Sequence, residues 1–316
     1  MKHYFRDHGQ SAYRLEIIRF ANGVEWHIDD VLNFFENNIA LPMSGPSEYT
    51  LFLQRNGGWH VVDSYPVKAL RDRVTQIVFI DDTTPDDLLF SKYTQTQISI
   101  DYSDYSAGVT FLGNERGFPL QRVEFGNGEV WDFEQVKAKM LEGTDDSQSL
   151  TAFDTGSEIH AAGGDDFIHG SKANDKLYGD AGNDWIIANE GDDLLVGGTG
   201  DDNLMGGSGS DIYLFSRGDG QDVITDMAWS EDSNSQDTDI LRFSDDIFPA
   251  DVIVTRDKNN LILSISDTTD QVTISEYFYD NKTYLIEIIE FSNGISWFTA
   301  DIMAYFSDNI PLPITK

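Results

Sequence analysis

Cut every nine residues, positions 161–214 read AAGGDDFIH, GSKANDKLY, GDAGNDWII, ANEGDDLLV, GGTGDDNLM and GGSGSDIYL. The eighth residue of each unit is aliphatic or aromatic (Ile168, Leu177, Ile186, Leu195, Leu204, Tyr213), and Leu150 and Ile159 continue that register upstream. The sixth is always aspartate: Asp166, Asp175, Asp184, Asp193, Asp202 and Asp211. Glycine, asparagine, aspartate and serine dominate the first six positions, the chemistry of turns that need positive φ or close backbone approach. The last three positions are too few for a helix and enough for a strand. Such a unit reverses the chain every nine residues, so two units close a coil of 18. Like positions of successive coils then stack at about 4.8 Å. The expected fold is mainly β: a central parallel β-roll of nonapeptide repeats, flanked by small α+β modules.

Stacking puts Asp166, Asp184 and Asp202 in one column and Asp175, Asp193 and Asp211 in another. The first column should next reach position 220, which is glycine; a two-residue bulge brings in Asp222 and keeps Ile224 in the apolar register. Carboxylates about 5 Å apart repel by roughly 1 kcal/mol in water and more when dehydrated. Unaided, the columns oppose folding. A hard divalent cation between successive turns reverses that sign, and an all-oxygen site of flexible geometry suits Ca²⁺ better than Mg²⁺ or soft metals. Cations are expected between Asp166 and Asp184, Asp184 and Asp202, Asp202 and Asp222, Asp175 and Asp193, and Asp193 and Asp211, about five ions in all.

The composition agrees. The chain has 316 residues, 55 acids against 21 Lys and Arg, and a formal charge of −34. That excludes the basic surface that nucleic-acid backbones need and disfavours docking on anionic membranes. Between Ala152 and Asp226 stand 16 acids, opposed only by Lys172, Lys176 and Arg217. With 40% hydrophobic and 12% aromatic residues the chain has the apolar material to fold. Zero cysteines rule out disulfides and thiolate metal sites. No apolar run approaches a membrane span, and the first residues lack the apolar core of a signal peptide.

The tract resembles the GGxGxDxUx nonapeptides of the RTX (haemolysin-type) proteins, over 161–214 with degenerate units upstream. GGTGDDNLM and GGSGSDIYL fit fully. Ala161-Ala162, Ala188-Asn189 and Ala173 depart from the glycine pattern, and Ser157 stands where the preceding unit should carry aspartate. The resemblance implies a β-roll that binds Ca²⁺ in its turns, with carbonyl oxygens of Gly164, Gly182, Gly191, Gly200 and Gly209 beside the aspartates. It also implies secretion, by type I machinery, to the extracellular space.

A second repeat lies outside the tract. Ile18–Trp26 (IRFANGVEW) recurs as Val123–Trp131 (VEFGNGEVW) and Ile289–Trp297 (IEFSNGISW). An Asn-Gly pair between alternating apolar residues predicts a hairpin with a type I′ turn. A short amphipathic stretch follows each copy and reads as a helix packed on the hairpin. These copies look like the haemolysin-type calcium-binding-related domain, with Trp26, Trp131 and Trp297 as core aromatics. Asp81-Asp82-Thr-Thr-Pro85 parallels Asp245-Asp246-Ile-Phe-Pro249, and Leu51-Phe52 through Asp63 weakly echoes Leu214-Phe215 through Asp226 without the carboxylates. Four segments are expected: 1–42, a partial related module; 43–142, a second module whose roll has shrunk away; 143–226, the roll; 227–316, a third module. Beginning mid-module suggests a piece of a longer tandem array, with a decayed first copy as the alternative.

Catalytic motifs are missing. There is no His-Glu-x-x-His, no Gly-x-Ser-x-Gly and no P-loop, and the six histidines do not cluster. The expected role is a non-catalytic, Ca²⁺-driven structural segment of a large secreted RTX protein, an adhesin or toxin. The competing reading is a carbohydrate- or cell-surface-binding module that meets a host or surface glycan or protein through Trp185, Tyr178 and Phe167. Outward residues on both strand sets (Phe167, Trp185, Ile187, Met205; Leu194, Val196, Ile212, Leu214) would make large apolar patches. Flanking modules are expected to cover them.

Overall fold

The computed structural model describes residues 17–19, 25–27, 49–53, 58–62, 74–79, 81–94, 97–104, 107–112, 120–226, 237–279 and 286–314. They belong to two compact units, Met1–Met140 and Leu141–Lys316. Most of segment 1–42, including the helix expected after its hairpin, lies outside the described residues.

In the first unit, β1 (Ile17–Arg19) and β2 (Glu25–His27) form the first Asn-Gly hairpin, pairing Ile18 with Trp26. Then come β3 (Tyr49–Leu53), β4 (Gly58–Val62), β5 (Val74–Phe79), β6 (Leu88–Thr94), β7 (Gln97–Tyr102), β8 (Ala107–Leu112), β9 (Arg122–Glu124), β10 (Val130–Asp132) and helix α1 (Phe133–Met140). One sheet has the order β10-β9-β5-β3 and the other β4-β8-β7-β6. Ile77, Phe79, Ile98, Ile100, Val109, Val123, Phe125 and Val136 form the buried apolar side.

The second unit contains the nonapeptides. Strands β11 (Glu142–Thr144), β12 (Ser149–Thr151), β13 (Glu158–Ala162), β14 (Phe167–His169), β15 (Lys176–Ala181), β16 (Trp185–Glu190), β17 (Leu194–Thr199), β18 (Asn203–Ser208), β19 (Ile212–Phe215) and β20 (Gln221–Ile224) fall alternately into two sheets. Each pairs in parallel with the strand two places on, matching Ile168 to Ile186, Leu177 to Leu195, Ile186 to Leu204 and Leu195 to Tyr213. Leu204 pairs with Ile224, so the two-residue bulge is present. The inward residues Ile159, Ile168, Leu177, Ile186 and Leu195 are fully buried, one per strand, and make a thin aliphatic spine.

Both sheets continue past the roll. Strands β21 (Ile240–Phe243), β22 (Val252–Asp257), β23 (Asn260–Ile265), β24 (Gln271–Ile274), β25 (Ile288–Glu290) and β26 (Ser296–Phe298) follow, with helix α2 (Thr299–Asp308). β21 adds to β19 and β24 to β20, both in parallel; antiparallel strands β25-β26 and β23-β22 then finish the two eight-stranded sheets. One continuous core runs from Leu150 to Ile302. Within this unit the described strands of the third module therefore extend the sheets edge-on, and none of them lies over the roll's outer faces. Trp185 remains 48% exposed.

The order β3-β5-β9-β10 repeats β19-β21-β25-β26, and β4-β8-β7-β6 repeats β20-β24-β23-β22, with the same parallel and antiparallel senses. Each copy has a 3-10 turn at its Pro, Pro85–Asp87 and Pro249–Asp251. Strands β3 and β4, which hold the weak echo of Leu214-Phe215 and its sequel, occupy the topological places of β19 and β20. The unit Met1–Met140 thus contains the equivalent of one last roll coil and its module.

The second and third Asn-Gly turns depart from expectation, and the first, at Asn22-Gly23, lies outside the described residues. Gly128 and Gly294 have φ of 85° and 77°, but Asn127 and Asn293 do not have positive φ, as a type I′ turn would require. Instead Gly128 N–H bonds to Phe125 O at 2.9 Å and Gly294 N–H to Phe291 O at 2.9 Å, while each Asn Oδ1 accepts the N–H two residues on. This is a longer loop closed by a left-handed glycine. Trp297 is a core residue, its Nε1 donating to Pro313 O at 2.7 Å, and Trp131 packs on Phe125 and Phe90.

Turn stacking explains the glycines. Gly200 has φ of 144°, and a Cβ there would overlap the carbonyl oxygen of Gly182 one coil earlier. Gly200→Ala should therefore destabilise the roll by about 3 kcal/mol from strain and overlap combined. Thermal unfolding in saturating Ca²⁺ measures this.

Candidate metal centre

Each aspartate is positioned by its own strand, two residues before the inward apolar side chain, so burial of that side chain carries the carboxylate into the turn. The first column is Asp166, Asp184, Asp202 and Asp222, and the second is Asp175, Asp193 and Asp211; all seven are buried. Within a column, each carboxylate is tied to the preceding coil by one oxygen. Asp166 N–H donates to Asp184 Oδ1 at 2.8 Å, Asp184 N–H to Asp202 Oδ1 at 2.7 Å and Asp202 N–H to Asp222 Oδ1 at 3.1 Å. Asp175 N–H donates to Asp193 Oδ1 at 2.6 Å and Asp193 N–H to Asp211 Oδ1 at 2.9 Å.

The other oxygen is left over. Oδ2 of Asp166, Asp184, Asp193, Asp202 and Asp211 is buried and has no hydrogen-bond partner. A buried unpaired carboxylate oxygen is costly, and one in each of five nonapeptides requires a positive ligand or a proton. The space it needs comes from the first glycine of the unit. A Cβ at Gly179, Gly197 or Gly206 would overlap Oδ2 of Asp184, Asp202 or Asp211 respectively. These oxygens, with no sulfur or imidazole in the columns, fit a hard divalent ion.

Asp175 differs from its neighbours. Its Oδ2 accepts from Ser171 N–H at 2.7 Å and Ser171 Oγ at 2.9 Å, and its Oδ1 from Ser157 N–H at 2.6 Å. Neutral donors already satisfy this carboxylate. Gly164, Gly182, Gly191, Gly200 and Gly209 lie in the turns, all with positive φ. Of the aromatic candidates, Phe167 and Trp185 are paired neighbours on one sheet with centroids 6.0 Å apart. Tyr178 is on the other sheet, stacked on His160 at 4.2 Å.

Burial is the main cause that raises the column carboxyls, with the like charge of neighbouring aspartates adding to it and the backbone N–H opposing it. Asp184 and Asp211 are pushed up to about 7, Asp193 and Asp222 to about 8 and Asp202 to about 6, and Asp166 is raised.

The second column runs further than the sequence indicated. Asp211 N–H donates to Asp239 Oδ1 at 2.8 Å, and Asp239 N–H to Glu287 Oε2 at 2.8 Å. The signal was present as Asp239-Ile-Leu241 and Glu287-Ile-Ile289, an acid two before an inward residue. Module strands inserted between them broke the nine-residue spacing. The first column stops at Asp222, which pairs with Val272. An outer ladder was also missed: Asn183 N–H donates to Asp165 Oδ1 and Asp201 N–H to Asn183 Oδ1, at 2.8 and 2.9 Å. It points along the roll in the opposite sense to the buried one.

The sequence profile of the RTX calcium-binding nonapeptide repeat matches 160–195, 178–213 and 187–224. Residues 160–224 are RTX calcium-binding repeats. The haemolysin-type calcium binding protein related domain matches 260–301, which spans β23 to the start of α2 beyond the RTX tract. The iron-regulated protein FrpA of Neisseria meningitidis serogroup C is 34% identical over 84 residues, 26% of this chain and 7% of that protein's length. The extracellular lipase LipA of Serratia marcescens shares 16% identity at a TM-score of 0.26, over 71% of this chain and 34% of that one. No described helix is long and apolar enough to cross a membrane.

Proposed function

We propose that the RTX tract and its terminal module form a non-catalytic segment whose folding is driven by Ca²⁺, part of a large protein secreted by a type I system, an adhesin or toxin. The orphaned Oδ2 atoms of five buried aspartates carry this reading. In low cytosolic Ca²⁺ the columns repel and the roll stays largely unfolded, the form a secretion channel can pass. In millimolar external Ca²⁺, ions held by Asp166, Asp175, Asp184, Asp193, Asp202, Asp211 and Asp222, with turn carbonyls of Gly164, Gly182, Gly191, Gly200 and Gly209, cancel the repulsion and drive folding by mass action. About five ions are expected along the two columns, with the position between Asp175 and Asp193 the weakest because Ser171 already serves Asp175.

Paired variants test the assignment. Asp202 serves two neighbouring positions, so Asp202→Asn should remove up to two ions and raise the Ca²⁺ midpoint for folding by about tenfold. Asp175→Asn should shift it less than about threefold. Calorimetric Ca²⁺ titration reads both, and equal effects would contradict the column geometry.

The exposed Trp185 beside Phe167 supports the second reading, a carbohydrate- or surface-binding face on that sheet. Tyr178, on the opposite sheet, is outside any such face. A glycan array in Ca²⁺ that gives the same null result for the native chain and for Trp185→Ala would remove it.

A further inference from the structure

In the regular coils a small residue stands two positions after the inward side chain: Gly170, Ala188 and Gly206 follow Ile168, Ile186 and Leu204. One coil on, with Ile224 paired to Leu204, that place belongs to Asp226. The substitution brings a third carboxylate to the junction of roll and module. Oxygens of Asp211, Asp226 and Asp239 lie within 4.8 Å of one another, and all three residues are buried.

Asp211 is 0% exposed and its Oδ2 has no partner. A Cβ on Gly206 would meet both this Oδ2 and the Tyr213 hydroxyl, so the two oxygens converge on one point. Tyr213 Oη donates to Asp226 Oδ1 at 3.1 Å, which fixes the new carboxylate on the same side. Asp239 is held by its Oδ1 to Asp211 N–H. Among the described residues, no ion pair involves any of the three.

We infer that Asp211, Asp226 and Asp239 form a further divalent-cation site, selective for Ca²⁺, that closes the roll against its module and binds more tightly than the two-carboxylate positions of the regular coils. Three converging anions attract a divalent ion more strongly than two, and ligand charge count sets Ca²⁺ affinity across otherwise similar oxygen sites. Because Asp211, Asp226 and Asp239 come from three separate segments, the ion would link the last roll turn to the first module strand. The inference rests on the reading of the columns as cation positions and adds an ion to that set.

The test uses the whole chain in a Ca²⁺ titration, with calcium content measured after desalting into low-micromolar Ca²⁺. The native chain should keep one ion that Asp226→Asn and Asp226→Gly lose, and their tightest binding class should weaken by about tenfold or more. Asp226→Gly restores the residue of Gly206, so it should still fold in about 10 mM Ca²⁺. Variants that keep the native ion count and affinity overturn this site while leaving the columns intact. A native chain that binds no Ca²⁺ overturns both. Anomalous density from native crystals grown in Ca²⁺ should peak among the three carboxylates; a Ca²⁺-loaded roll with nothing there overturns the inference even if both variants misfold.

Discussion

EDTA at about pH 8 is expected to unfold Leu141–Lys316, with hydrogen exchange rising to the unprotected rate from β12 through β26. A site filled at 100 times its Kd stabilises the folded state by about 2.7 kcal/mol, so five contribute about 13 kcal/mol. That is the size of a whole domain's stability, about 5–15 kcal/mol. The aliphatic spine supplies one buried side chain per strand and cannot replace that sum. Strands β3 and β4, which take the topological places of β19 and β20, contain no carboxylate, so peptides covering Tyr49–Leu53 and Gly58–Val62 should show no matching change in exchange. Full protection of the roll in EDTA would refute the calcium-driven reading.

Acid should partly restore the roll in EDTA. The folded pKa values of Asp184, Asp193, Asp202, Asp211 and Asp222 lie at about 6 to 8, raised first by burial, against about 3.9 for an unfolded aspartate. A raised folded pKa means that the folded state holds the proton more tightly. The resulting stabilisation is fully present below about pH 4 and is lost as pH rises through 6 to 8. Each retained proton contributes about 1.4 kcal/mol per pH unit, so metal-free chain at about pH 5 should be several kcal/mol more stable than at pH 8. Circular dichroism melts in EDTA across this range check the sign. With Ca²⁺ present the trend reverses, because protons and the cation compete for the same Oδ2 atoms.

The roll was legible because its physics is periodic. One inward residue and one aspartate per nine positions specify the strand, the turn, the coil of 18 and the two columns, and the bulge before Asp222 followed from keeping Ile224 in register. What the sequence hid is where that period breaks. Asp239 and Glu287 continue the second column, yet Asp239 stands 28 residues after Asp211, and the chain passes through β21 to β24 between Asp239 and Glu287. Asp226 was concealed differently, as an acid at a position that every earlier coil reserves for a small residue. The module's edge-on addition to both sheets was also hidden, since parallel pairing between β20 and β24 leaves no local trace. The hairpin turns were misjudged because Asn-Gly serves more than one loop type, and the choice depends on strand register. Tyr178 and Trp185 look like neighbours in a list of aromatics, but alternate units face opposite sheets.

Because β25 and β24 take the last parallel places of the two sheets, the roll has only one growing end. Its length is set in quanta of 18 residues. Inserting or removing one such quantum upstream changes the number of cation positions and leaves the cap, the bulge and the junction carboxylates where they are. A change of nine would send every upstream strand to the other sheet and exchange the two columns. The architecture therefore behaves as a ruler fixed at its zero mark, one along which capacity for calcium can be altered in even steps without rebuilding the terminus.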